Sequence, residues 1–199
     1  HLGQNILIGS GTATFDFGPG LFRWDGSGID LDSHTLINTG WLSFSAPGLL
    51  FGNTGVGDNG SGNQGGELDN QGTILASAGG PTMYDSVSIL NENSYDFTGD
   101  AGIVFGNNNV SITNGASGLW EKTGGTGISS VGVSFSNLGQ VTGASGTLSF
   151  GGLVQVSGHS LLGGSWTASG GGALVLGAAS ITSNSASVTI SGAGSAIAA

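Results

Sequence analysis

Two aspartates in this sequence have a spacing that could support chemistry. Asp30 and Asp32 lie two positions apart in Ile29-Asp30-Leu31-Asp32, and alternate residues of a β-strand point to the same face. A strand here would turn Ile29 and Leu31 to one side and both carboxylates to the other, where they could share a calcium ion or contact a sugar hydroxyl. The plainer interpretation, which we favour, is a solvated strand edge.

A second group of acids flanks a glycine-rich stretch and consists of Asp58, Glu67 and Asp69. Carboxylate oxygens are the ligands that Ca²⁺ prefers, so a calcium site at this loop is a hypothesis. The spacing matches neither the EF-hand nor the calcium-binding nonapeptide repeat. We therefore predict no metal-binding residue and no cofactor, and keep Ca²⁺ only as an alternative.

The remaining residues with catalytic potential are isolated from one another. His159, in Ser157-Gly158-His159-Ser160, resembles a histidine motif of β-helical pectin-degrading hydrolases, but the clustered aspartates and the basic pair of those enzymes are missing. The only basic side chains besides histidine are Arg23 and Lys122. No nucleophile elbow, zinc-protease motif or P-loop is present. We predict that the protein is not an enzyme, that it has no catalytic residues, and that His159 lies on the surface.

Aromatic residues and sequons give two weaker signals for glycans. Tryptophans could form a sugar-stacking platform where they are exposed, although they pack in corners and coil ends more often. The four are Trp24, Trp41, Trp120 and Trp166. Asn59-Gly60-Ser61 and Asn109-Val110-Ser111 match the N-glycosylation sequon.

Composition limits the classes of protein that this chain can represent. Its 199 residues are enough for a continuous core, and 42 glycines with only 3 prolines exclude collagen. Gly, Ser, Thr and Asn are poor helix formers, so an all-β fold is expected. A net charge of −10 argues against nucleic acid and anionic membranes as partners. No apolar run approaches the length of a membrane helix, so we predict no membrane insertion.

A repeated phrase indicates how the strands are arranged. The form Gly-x-apolar-x-apolar starts at Gly40, Gly72, Gly146 and Gly172, and Asn-x-Gly stands at Asn38, Asn70 and Asn137. The intervals fit coils of about 22–27 residues, the size of one turn of a β-solenoid. Corner asparagines and glycines are expected to supply left-handed backbone angles, and stacked asparagines can hydrogen-bond between coils.

These patterns predict a single domain over residues 1–199 that folds as a parallel β-helix (β-solenoid). Stretches without clear apolar alternation predict loop insertions near 52–66 and 77–100, and a less regular coil is the alternative for the second. A β-sandwich has strands of similar length and remains the alternative, although it offers no reason for one phrase to recur. Because the chain opens on His1, we expect a mature or excised segment of a longer protein.

The phrase Ser187-Val188-Thr189-Ile190-Ser191-Gly192-Ala193-Gly194-Ser195 resembles a repeat of bacterial autotransporter-type and filamentous adhesin-like β-solenoid proteins. Phe22-Arg23-Trp24-Asp25-Gly26 is similar to the Trp-x-Gly phrase that often opens such proteins. The resemblance mainly covers residues 100–199. It implies a right-handed parallel β-helix. It also implies a secreted protein that is displayed on the bacterial cell surface and is adhesive or structural.

We therefore expect a non-enzymatic extracellular structural or adhesive protein. Open ends with unpaired strand edges predict self-association into filaments by end-to-end strand pairing. A carbohydrate-binding or carbohydrate-cleaving β-helix is the alternative, in which Asp30 and Asp32 would act on a glycan. A passive spacer that holds another domain away from a cell is a third interpretation.

Overall fold

The computed structural model describes residues 6–52, 65–177 and 180–199. These residues form 25 β-strands and no helix. Parallel strands stack into a right-handed β-solenoid of about eight turns, which confirms the predicted fold class and excludes the sandwich. In the described ranges there is also no helix of the length and apolar character that a helical membrane crossing needs.

Each of the first five coils carries three strands, at positions that we call A, B and C in chain order. The coils consist of β1 (Ile6–Leu7), β2 (Thr12–Phe15) and β3 (Arg23–Trp24); β4 (Gly28–Asp30), β5 (Thr35–Asn38) and β6 (Trp41–Phe44); β7 (Gly48–Phe51), β8 (Glu67–Asn70) and β9 (Thr73–Ala76); β10 (Pro81–Tyr84), β11 (Ser88–Asn91) and β12 (Ser94–Phe97); β13 (Val104–Phe105), β14 (Ser111–Asn114) and β15 (Leu119–Lys122).

The later coils stack in the same way, but the cross-section of the solenoid differs there. Their strands are β16 (Ile128–Asn137), β17 (Gln140–Gly143), β18 (Thr147–Leu153), β19 (Val156–Ser157), β20 (Ser160–Leu161), β21 (Ser165–Ala168), β22 (Ala173–Val175), β23 (Ser183–Asn184), β24 (Ser187–Ile190) and β25 (Ala196–Ala198). β16 runs through positions A and B without a corner, and β19 and β20 form an antiparallel hairpin.

The register of paired strands gives the number of residues in each coil. Thr12 pairs with Thr35, and Ser111 pairs with Ser134, both 23 positions further along the chain. Thr35 pairs with Glu67, 32 positions further, so the coil between them contains extra residues. Those residues lie between β7 and β8. The loop predicted near 52–66 falls mostly on residues 53–64, which are outside the described ranges.

The second predicted insertion, at residues 77–100, is wrong. This stretch is a regular coil in which β11 and β12 pair with strands on both sides in unbroken register. Its alternation is hidden in the sequence because large residues other than Leu, Val and Ile occupy three of the inward positions. Met83, Tyr95 and Phe97 are fully buried there.

The core is a continuous column of inward-facing side chains along the axis of the solenoid. Most four-residue strands at positions B and C bury their second and fourth residues, as the pleat of a strand with one inner face requires. Aromatic rings join successive coils inside this column. Tyr95 stacks on Trp120 with ring centroids 4.1 Å apart, and Phe135 lies 4.7 Å from Phe150.

A ladder of buried asparagines closes the corner between positions B and C. The side-chain amide of each member but the last donates a hydrogen bond to the side-chain oxygen of the asparagine in the next coil, at 2.7–2.9 Å, and that of Asn137 donates to the carbonyl oxygen of Ser165. The members are Asn38, Asn70, Asn91, Asn114 and Asn137. The prediction of stacked asparagines at Asn38, Asn70 and Asn137 is confirmed, and the structure adds two members. Their spacing of 21 to 23 residues was the signal in the sequence that could have revealed them.

The glycines beside this ladder have a different role from the one predicted. Neither the ladder asparagines nor Gly40 and Gly72 have a positive φ. A Cβ atom at Gly72 would lie 2.2 Å from the carbonyl oxygen of Gly40 in the preceding coil. Glycine is needed there because the two coils approach too closely for any side chain.

Candidate functional sites

The outline of the solenoid narrows between the fifth and sixth coils. In earlier coils the corner from position A to B uses left-handed residues, with φ of 44° at Asp32 and 58° at Asp85. In the sixth coil β16 passes straight through this region. Ile103 pairs with Val131 and Ser111 with Ser134, so seven residues of the fifth coil lie beside only two of the sixth. The corner at residues 104–110, which we call the ledge, therefore overhangs the narrower coils.

An open groove of about 520 Å³ lies under the ledge. Phe105 forms part of its wall and is 52% exposed, although its register partner Met83 is fully buried in the core. The exposure follows from the narrowing, because the sixth coil has no corner to cover the ring. The groove is lined by Phe105, Asn108, Asn109, Val110, Ser111, Gly132, Val133, Ser134, Gly151 and Gly152.

The floor of this groove is backbone that carries no side chains. Gly132, Gly151 and Gly152 lie exposed on β16 and β18, and none of them has a positive φ. A Cβ atom would have no neighbour closer than 3.5 Å at Gly151 and 3.8 Å at Gly152, so the fold accepts a side chain at both positions. Their effect is to leave the floor open.

The predicted pairing of Asp30 with Asp32 on one strand face is wrong. β4 ends at Asp30, whose side chain is 4% exposed, and Asp32 lies beyond it in the left-handed corner. The carboxylate of Asp30 accepts a hydrogen bond from the backbone N–H of Asp32 at 3.1 Å. The two carboxylates therefore do not form a surface pair for a glycan or a cation, and the favoured interpretation of a solvated strand edge is also wrong for Asp30.

The calcium hypothesis at the glycine-rich loop receives no support from the described acids. Glu67 and Asp69 are neighbours on the outer face of β8, and burial raises the pKa of Glu67, with a further increase from the charge of Asp69. Asp69 accepts a hydrogen bond from the side chain of Gln71 at 2.7 Å. No group of three or more potential metal ligands occurs in the described ranges, and Asp58 lies outside them.

A second acidic pair lies on the outer face at position C. Asp96 of β12 and Glu121 of β15 are register partners. Burial raises the pKa of both carboxyls, and the charge of Asp96 raises that of Glu121 further. Asp96 also accepts hydrogen bonds from Thr123.

Lys122 is completely buried, which the sequence analysis did not predict. Its ammonium donates to the carbonyl oxygens of Gly99 at 2.7 Å and Gly124 at 2.8 Å, and to Asp100 at 2.9 Å. This contact with Lys122 lowers the pKa of the Asp100 carboxyl. The lysine is a structural cross-link between coils and is not available to a ligand.

His159 lies on the surface, as predicted. It occupies the tip of the hairpin formed by β19 and β20, beside Gly158 with φ of 59°. Its Nδ1 atom lies 2.8 Å from the carbonyl oxygen of Ser180, which fixes the ring against the neighbouring coil. Among the described residues, no acidic or basic side chain forms a hydrogen bond or an ion pair with His159.

Three of the four tryptophans belong to the core. Trp24, Trp120 and Trp166 are at most 3% exposed, so the sugar-platform hypothesis is wrong for them and the packing interpretation is confirmed. Trp41 is 36% exposed on the outer face of β6. Of the two sequons, Asn109 lies exposed on the ledge, whereas Asn59 falls outside the described ranges.

The last described coil leaves apolar side chains uncovered. Val188 and Ile190 stand in register with the buried residues Trp166 and Ala168, yet they are 42% and 55% exposed because no coil among the described residues lies over them. Together with Ile197 they line a hollow of about 440 Å³. In the described ranges, each of β23, β24 and β25 has a neighbouring strand on one side only.

Charge is distributed unevenly along the solenoid. Both basic and all twelve acidic side chains lie within residues 1–122, so the later coils carry no formally charged residue. Charged residues on an exposed edge normally oppose pairing with another chain. That protection is missing at the C-terminal end.

These features define a parallel β-solenoid protein with a lateral groove and an apolar surface on its last described coil. Comparisons with protein-family models, curated proteins and solved structures give no match. The resemblance to bacterial surface adhesins therefore remains a prediction.

Proposed function

We propose that this chain is a non-enzymatic extracellular structural or adhesive protein that self-assembles end to end. The observation that carries the proposal is the last described coil, where Val188 and Ile190 occupy core register and remain exposed. Burial of apolar surface contributes about 25 cal/mol per Å². A second solenoid end placed there would gain this contribution together with the hydrogen bonds of three strand edges.

The first described coil offers a second surface for such a contact. In the described ranges β1, β2 and β3 each pair on one side only. Phe15, Phe17 and Phe22 form an aromatic cluster there, with ring centroids 5.0–5.4 Å apart. Contact between two different ends of a molecule does not close on itself, so it builds a filament.

Two further observations support a structural role outside the cell. The uncharged C-terminal coils present no charge repulsion to a second copy. The candidate catalytic residues of the sequence are dispersed, since Asp30 is buried and His159 lies at a hairpin tip. The placement on a bacterial surface rests on the resemblance of Ser187–Ser195 to adhesin repeats, and antibody labelling of intact source cells tests it.

Assembly is tested by light scattering over a concentration series, followed by electron microscopy. We expect mass to increase with concentration and filaments of one molecule's width. The double variant Val188→Lys, Ile190→Lys should stay monomeric because it places two charges in the junction. Leu138→Lys with Leu162→Lys is the matched control, since these leucines are 63% and 55% exposed on the side of the solenoid. A wild-type protein that stays monomeric without filaments, or equal behaviour of the two double variants, contradicts the proposal.

A further inference from the structure

We propose that the groove under the ledge binds a neutral oligosaccharide. This inference goes beyond the proposed assembly and does not depend on it, because the groove lies on the side of the solenoid. It also differs from the sugar site predicted at Asp30 and Asp32, since it uses other residues and involves no cleavage.

The size and shape of the groove suit a small ligand. Its volume of about 520 Å³ is within the range of known ligand sites, about 300–1,000 Å³. A ligand can approach the backbone of Gly132, Gly151 and Gly152 directly, because no side chain stands in the way. Neither Gly151 nor Gly152 has a positive φ, and neither packs closely against a neighbouring coil. Access for a ligand is therefore a physical reason for glycine at these two positions.

The chemistry of the lining selects the class of ligand. The half-exposed ring of Phe105 offers an apolar face on which the C–H face of a sugar ring can pack. The Asn109 amide and the Ser134 hydroxyl are both exposed and can exchange hydrogen bonds with sugar hydroxyls. None of the lining residues is titratable, so the lining itself offers no counter-charge to an anionic or cationic ligand.

The wall of the groove is held in place before any ligand binds. Asp85 accepts hydrogen bonds from the side-chain amides of Asn107 at 3.2 Å and Asn108 at 3.3 Å, and its backbone N–H donates to Asn107 at 2.8 Å. These contacts connect the ledge to the preceding coil. A rigid wall reduces the conformational entropy that binding must otherwise overcome.

An extended peptide fits the groove less well than a sugar. Pairing with a peptide requires a continuous free strand edge, and β13 on the ledge contains only Val104 and Phe105. The floor strands β16 and β18 already pair with each other along this face. A sugar ring that lies flat on the floor formed by Gly132, Gly151 and Gly152 needs no free strand edge.

The test is a nuclear magnetic resonance titration with four neutral tetrasaccharides: β-1,4-glucan, β-1,3-glucan, α-1,4-glucan and β-1,4-mannan. Tetragalacturonate serves as the anionic comparison. We expect at least one neutral sugar to shift the backbone amides of Gly132, Ser134, Gly151 and Gly152. Spectra are recorded on the Val188→Lys, Ile190→Lys variant if the wild type assembles, so failure of assembly and failure of sugar binding are seen separately.

Two variants then locate the site. Phe105→Ala removes the apolar wall, and Gly151→Val fills the floor, so each should weaken binding of the best neutral tetrasaccharide at least tenfold. Gly163→Val is the matched control, because Gly163 has no atom within 4 Å of an added Cβ and lies outside this groove. The proposal is overturned if no neutral sugar shifts these amides at millimolar concentration, if tetragalacturonate binds as tightly, or if Gly163→Val weakens binding as much as Gly151→Val.

Discussion

The ammonium of Lys122 lies 2.9 Å from the carboxylate of Asp100, and only the lysine side of this ion pair is buried, with side-chain exposures of 0% and 47%. Lys122 is the only lysine of the chain. Its further hydrogen bonds to backbone carbonyl oxygens show that the charge is compensated within the fold. Lysine is usually a surface residue, but Lys122 holds neighbouring coils together.

Replacing Lys122 by methionine should lower the free energy of unfolding by about 1–3 kcal/mol, because it removes one donor from each of the carbonyl oxygens of Gly99 and Gly124. The measurement is urea unfolding followed by circular dichroism. Arg23→Met, which removes an exposed cation, is the control and should change stability by less than about 0.5 kcal/mol. Equal effects of the two substitutions would show that Lys122 is not a structural anchor.

Burial also protects the Lys122 amine from reagents. An amine-acylating reagent should leave Lys122 unmodified in the native protein and modify it after denaturation in guanidinium chloride, because the folded protein exposes none of its side chain. Mass spectrometry of the peptide that contains Lys122 provides the measurement. Rapid acylation under native conditions would contradict the buried position.

The asparagine ladder should be sensitive to the loss of a central member. Asn91→Ala removes the acceptor of the Asn70 amide and the donor to Asn114, and leaves both partners buried. We expect a loss of about 2–4 kcal/mol in the free energy of unfolding. Asn93→Ala, two positions away and exposed, is the control and should cost less than about 1 kcal/mol. A smaller effect at Asn91 than at Asn93 would contradict the ladder's importance.

The close approach of neighbouring coils at Gly72 predicts that a glycine-to-alanine change lowers the free energy of unfolding more there than at Gly163. Gly72→Ala places a Cβ atom 2.2 Å from a backbone oxygen, and should lower the free energy of unfolding by about 2 kcal/mol or more. Gly163→Ala has no atom within 4 Å and should leave stability unchanged or slightly higher. Thermal unfolding of both variants measures the difference. If Gly72→Ala is as stable as Gly163→Ala, the coils can separate more readily than the structure indicates.

Stability should rise on mild acidification from neutral pH. Glu67, Asp96 and Glu121 have raised pKa values, mainly through burial, so the folded protein binds their protons more tightly than the unfolded chain. Their contribution to the free energy of unfolding therefore increases as the pH falls through the raised pKa values, and it is complete below the ordinary values near about 4. Asp100 acts in the opposite direction. Its pKa is lowered, so its contribution is lost as the pH falls through that lowered value.

Melting temperatures between neutral and acidic pH test this balance. Glu121→Gln should raise the melting temperature at neutral pH and reduce the gain on acidification, because it removes one of two neighbouring charges. Asp16→Asn makes the same change of charge at an exposed position and is the control. A melting temperature of the wild type that falls steadily from neutral pH downward would contradict the expected rise.

The sequence by itself determined the class of fold and much of its interior. Short apolar alternation, glycine-rich corners and a recurring phrase identify a β-solenoid, because neighbouring coils repeat the same local environment at a nearly constant interval along the chain. The same logic found Asn38, Asn70 and Asn137 as corner residues. It failed at residues 77–100, where Tyr95 and Met83 fill inward positions without the expected Leu, Val or Ile.

Only the tertiary structure decided which side chains could meet. Asp30 and Asp32 have the right spacing in the sequence but are separated by the end of β4 and a left-handed corner. Lys122 and Asp100 are 22 residues apart and become neighbours because they occupy adjacent coils. The ledge above Gly151 exists because the sixth coil omits a corner. Such contacts depend on where each coil turns its corners, and the interval between repeated phrases does not specify those positions.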